Sequence, residues 1–130
     1  MSRRRLSRHW LVLIHESAKV AFTAKVSPET LVYGQVCDYA RVLDHACVWA
    51  IAKVSGHATI TGHSRVLDCT HVCGDAIVDG MINITGFSLI KDQVHLKGLG
   101  EFRGCLLEGD VEISLSYCLV NDIHWWKNIP

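Results

Sequence analysis

The sequence predicts an all-β protein, a parallel β-helix of about five to six 18-residue coils with short capping segments at both ends. Three aligned columns carry that expectation. Every sixth residue from Val36 is a large aliphatic or aromatic one: Val36, Val42, Val48, Val54, Ile60, Val66, Val72, Val78, Ile84, Ile90, Leu96 and Phe102. Val, Ile, Leu and Phe are 40 of the 130 residues, so chance would produce that run with odds on the order of one in a million. Two residues before each lies a mostly small residue, as in Gly34, Ala40, Ala46, Ala52, Ala58 and Ser64. Two residues after each lies Asp or Gly, from Asp38 and Asp44 to Gly98 and Gly104, with Ala50 the one break.

Small-x-aliphatic has period two, so both side chains point to one side of a short strand, the large one filling a core and the small one leaving it room. Gly or Asp then supplies a corner, because both tolerate the left-handed backbone region. A short strand and a corner every six residues cannot close into hairpins that keep one face inward. They can wind three strands to a turn, 18 residues per coil, stacked at about 4.8 Å.

The chain divides into three segments. Residues 1–17 form a basic stretch and a cap: Arg3, Arg4, Arg5 and Arg8 read as a solvated tail, and Trp10 to Ile14 as a lid. Residues 18–107 form the repeat. Ala18-x-Val20, Ala24-x-Val26 and Thr30-x-Val32 open it, with Pro28 at a corner and a register slip where Val36 comes only four residues after Val32. Residues 108–130 hold terminal strands and the second cap. Leu107, Val111, Ile113, Leu115 and Tyr117 alternate without the hexad, and Ile123, Trp125 and Trp126 close the end. A solenoid exposes its core at both ends and needs such lids.

Composition excludes several classes. A hydrophobic fraction of 49% argues against disorder, and a formal net charge of zero supplies no field toward nucleic acid. The apolar run from Trp10 to Ile14 is too short for a signal peptide or a membrane span, so a cytoplasmic chain is expected. Cys37, Cys47, Cys69, Cys73, Cys105 and Cys118 do not pair on adjacent coils and are expected as free thiols.

The pattern in Ala58-Thr59-Ile60-Thr61-Gly62 resembles the hexapeptide-repeat superfamily of left-handed parallel β-helices over roughly residues 18–107. Left-handed winding is implied by that resemblance, whereas crossover physics alone favours the right hand. The opening Val26-Ser27-Pro28-Glu29-Thr30-Leu31-Val32-Tyr33-Gly34-Gln35-Val36 is similar to the first coil of the γ-class carbonic anhydrase-like branch. The uninterrupted body is more similar to acyltransferase-like repeat proteins. The resemblance implies an acyltransferase with acetyl-coenzyme A and a histidine base, or a zinc hydratase, in either case with the site between subunits of a homotrimer.

The residues fit those chemistries poorly. His57, His63, His71 and His95 are nominal general bases, His63 and His71 foremost, but twelve hexads run without an insertion to build an acceptor pocket. No two histidines lie five apart as the hydratase branch requires. In Cys69-Thr70-His71-Val72-Cys73, His71 and Cys73 sit about 6.6 Å apart along one strand, too far for one tetrahedral zinc. A lone Thr59-x-Thr61 is no ice-binding ladder. Stacking residues 18 apart also places His45 on His63 and His57 under Asp75.

The outward surface is more informative. Ile51, Cys69, Phe87 and Cys105 form an apolar corner column, with Trp49, Leu67 and Cys47 beside it. The next face adds Leu89 and Leu107, and a second corner Met81 and Leu99. Stacked apolar residues on an outer surface mark an interface. The expected interface is therefore Trp49, Ile51, Leu67, Cys69, Phe87, Leu89 and Cys105. The expected function is non-enzymatic protein binding, to a partner or to itself as a homotrimer, with no metal, no cofactor, no membrane and no nucleic acid. A small phage or immunity-type inhibitor would use the same surface, and acetyl-coenzyme A or zinc enters only under the enzyme reading.

Overall fold

The computed structural model describes residues 13–14, 19–21, 23–27, 29–49, 51–121 and 124–125. They form an all-β parallel solenoid of about five turns, with no helix among the described residues. Most strands are two residues long, as in Gln35–Val36, Arg41–Val42 and Cys47–Val48, and the second residue of each faces the core. All twelve members of the hexad column are fully buried. The small column is buried with it except Gly100.

The strands fall on three faces. Leu31–Val32, Cys47–Val48 and Arg65–Val66 stack on the first, Gln35–Val36, Lys53–Val54 and His71–Val72 on the second, and Arg41–Val42, Thr59–Ile60 and Ile77–Val78 on the third. Body coils repeat at 18, as where Arg65 pairs Cys47 below and Asn83 above.

The corners explain the Asp/Gly column. Asp38, Asp44, Asp68 and Asp92 adopt φ near +60°, a conformation most side chains avoid. Each carboxylate accepts the backbone N–H of the glycine one coil on: Gly56 to Asp38 (3.0 Å), Gly62 to Asp44 (3.1 Å), Gly86 to Asp68 (3.1 Å) and Gly109 to Asp92 (3.0 Å). Close stacking demands the glycine: a Cβ on Gly62 would lie 2.4 Å from the Gly80 carbonyl oxygen. Polar members of the small column are satisfied in place. Ser64 Oγ accepts from Ile82 N–H (3.2 Å), and Ser88 Oγ accepts from Cys105 N–H (2.9 Å) while donating to the Thr85 carbonyl (2.8 Å).

The register departs from 18 at both ends. Lys19 pairs Gln35 and Leu31 pairs Cys47, sixteen residues on, because the corner at Tyr33-Gly34 has two residues instead of four. This is the slip the Val32–Val36 spacing announces. Toward the C-terminus Leu89 pairs Leu106 and Ile90 pairs Leu107, seventeen on. That contraction overturns two expectations. Cys105 is not on the outer corner but in the small inward column above Ser88, 1% exposed, and Leu107 is in the core. Loss of one corner residue carries the next outward positions to the inside.

The alternating C-terminal stretch is one ten-residue strand, Glu112–Asn121, paired in parallel with His95–Arg103. A bulge there leaves Tyr117 at φ +60° and 84% exposed. Leu13–Ile14 continues the first face beneath Leu31–Val32, and His124–Trp125 the second above Leu106–Leu107. The four arginines, Trp10, Pro28, Ala50, Ile123 and Trp126 lie outside the described residues.

Asp44→Gly keeps the backbone geometry and removes the carboxylate bond, so it should cost about 1 kcal/mol. Asp44→Ala should cost roughly 1 kcal/mol more, because alanine resists positive φ. Equal shifts of the urea midpoint would show that the corner geometry is not what holds the coils. Val66→Asp buries an unpaired carboxylate among aliphatics, a penalty on the order of 3–5 kcal/mol, and should abolish the β-sheet circular dichroism.

Candidate functional site

The corner between the first and second faces carries the apolar column. Ile51 is 73% exposed and Phe87 83%, with Cys69 half-buried between them. Trp49, 42% exposed, and half-buried Leu67 flank it on the first face. The column ends at Phe87, since Cys105 has left it. Leu89 is half-buried on the second face between His71 and Leu106, so Leu106 takes the outward place expected of Leu107. Met81 is exposed and Leu99 half-buried on the corner between the third and first faces.

Tyr33 joins the ridge. The shortened first corner sets its ring against Trp49, centroids 5.4 Å apart and tilted by 41°. The spacing of Val32 and Val36 holds that signal, but only once the 16-residue pairing is known.

The histidines occupy outward columns. His45 and His63 stack at 4.8 Å, 3° from parallel, and Glu29 pairs with His45. His57 stacks on Tyr39 at 5.2 Å, and its Nδ1 lies 3.9 Å from Asp75 Oδ1. Both vertical relations follow from the 18-residue register. The register does not reveal that His71 Nε2 lies 3.0 Å from Ser55 Oγ, because that contact depends on how the two side chains turn across coils. Burial holds His71 below the ordinary imidazole range, and neighbouring Lys53 adds to it. A neutral imidazole can accept the Ser55 hydroxyl proton at Nε2. Burial pushes the Cys73 thiol up, partly offset by Lys91. His95 lies on the third face with its Nε2 buried and without a hydrogen-bond partner.

No three His, Cys, Asp or Glu side chains among the described residues group closely enough to hold a metal ion. Cys37, Cys47, Cys69, Cys73 and Cys105 are free thiols. No helix among the described residues is long and apolar enough to cross a membrane. The class defined by this geometry is a parallel β-solenoid with one aromatic-aliphatic ridge and continuous outward side-chain columns. No family model, curated protein or solved structure matches the chain.

The lowered His71 pKa sets a pH dependence. The unfolded chain binds the proton more readily than the folded one between the folded pKa and about 6.5. The stability contributed by neutral His71 is therefore complete above pH ~6.5 and lost as pH falls toward the folded value. His71→Gln should flatten the decline of the urea midpoint on acidification, and an unchanged decline would show that His71 does not set it.

Proposed function

We propose that the chain is a non-enzymatic interaction protein whose ridge of Tyr33, Trp49, Ile51, Leu67, Cys69 and Phe87 docks on the apolar surface of a protein, either a different chain or a second copy. The observation that carries this reading is the exposure of Ile51 and Phe87 on one corner, with Trp49 beside them. Large rigid aromatics on a rigid scaffold lose little entropy on docking and anchor interfaces. The repeat also suits membership of the hexapeptide-repeat superfamily with left-handed winding, and a cytoplasmic place where its thiols stay reduced.

A second reading is an acyltransferase-like enzyme with acetyl-coenzyme A, favoured by the Ser55–His71 contact of 3.0 Å. It ranks lower because a single hydroxyl–imidazole pair on a flat face lacks an acceptor site around it. A small inhibitor of phage or immunity type is a special case of the first reading.

Trp49→Glu and Phe87→Glu should each leave the circular dichroism unchanged and abolish association through the ridge, read as capture of a partner or as self-association that survives high salt. Full retention of binding by both variants would overturn the proposal. Saturable acetyl-coenzyme A binding in calorimetry, lost in His71→Ala or His63→Ala, would replace it with the enzyme reading.

A further inference from the structure

The two ends of the sequence differ in charge. Residues 1–36 hold six Lys or Arg and two Asp or Glu, whereas residues 104–130 hold one and four. Among the described residues, exposed Lys19, Lys25 and Glu29 belong to the first coil, with Glu29 paired to His45, and half-buried Glu108 with exposed Asp110 and Glu112 belong to the last. Described residues 104–121 contain no Lys or Arg. The ends also match in structure. Within the described residues, Lys25–Val26 is the outermost strand of the third face at one end and Glu112–Asn121 at the other, and the second face runs from Lys19–Val20 to His124–Trp125. Among the described residues each of these strands has one unpaired edge, able to continue a parallel ladder. Val20 and Val26 at one end, and Ile113, Leu115 and Val120 at the other, are only partly buried against the core.

The register aligns these features. On the third face Lys25 pairs Arg41, Arg41 pairs Thr59, Thr59 pairs Ile77, Ile77 pairs His95 and His95 pairs Glu112. Lys25 and Glu112 are thus the first and last outward residues of one column among the described residues. A second copy stacked on the same axis without rotation would bring its Lys25 to the position after Glu112, about 4.8 Å on. Glu112 already takes Lys97 at 2.7 Å, and its second oxygen can accept another cation.

From this we infer that copies of the chain associate head to tail, the basic first coil of one on the acidic last coil of the next. The contact is heterologous and does not close, so it propagates along the axis. Each end is a triangle with sides of about 20 Å, six residues at ~3.3 Å. That is far smaller than the roughly 800 Å² per partner of a standard interface. Association is therefore weak, concentration-dependent and sensitive to salt. It uses a surface separate from the apolar ridge.

The test is weight-average mass of the full chain by sedimentation against concentration, at about 0.1 M and about 1 M salt, where the screening length falls from ~10 Å to ~3 Å. At low salt the mass should climb at least about twofold above 14.5 kDa with concentration, and high salt should reverse it. Lys25→Glu alone and Glu112→Lys alone should each stay monomeric. An equimolar mixture of the two should assemble again, since each then offers the other a complementary end; that recovery excludes misfolding as the cause of the single losses. Phe87→Glu should leave this assembly intact. A native mass independent of concentration would overturn the proposal, as would assembly that survives both charge reversals or that Phe87→Glu removes.

Discussion

The close stacking of corners is the constraint on which everything else depends. Successive coils approach so nearly at Gly62 and Gly80 that no side chain fits between their backbones. The left-handed backbone conformation at these corners turns the chain within two residues, and the aspartates that adopt it spend their carboxylates on the next coil. Asp and Gly are thus two halves of one device, the acceptor below and the donor above. The aliphatic core fills the space these corners enclose, and the mostly small residue two places before each large one, as in Ala40, Ala52 and Ser64, keeps that space narrow.

Most of this was legible in the residues. The inward column is legible because a period of two within a period of six leaves one assignment of inside and outside. Stacked His45 and His63 follow from simple addition of eighteen. Legibility fails where the count changes. Cys105 and Leu107 come after a corner shortened by one residue, and Gly104 disguises the loss by standing where the turn glycine belongs. The Tyr117 bulge has no glycine to announce it.

The candidate site shows the same division. Trp49, Ile51 and Phe87 are exposed because their backbone positions leave them no other choice, so their place on the surface could be read directly. The Ser55–His71 contact and the Tyr33–Trp49 packing depend on side-chain torsions and on a local change of pitch, neither of which a linear pattern encodes. A solenoid of this kind makes surfaces more readily than clefts: its outward residues stand in straight columns, each beside two neighbours, with little convergence toward a point. Recognition of a flat partner suits that geometry better than enclosure of a small molecule.

The body period of eighteen also makes the chain's length come in steps. Adding or removing one residue within the body would turn strands inside out up to the next compensating change, as the neighbourhood of Cys105 illustrates on a small scale. Adding a whole coil would leave every column intact and lengthen each by one residue. Variation among chains of this architecture should therefore favour whole coils over single residues, with irregular insertions gathered at the ends, where the pairing already departs from the rule at sixteen and seventeen.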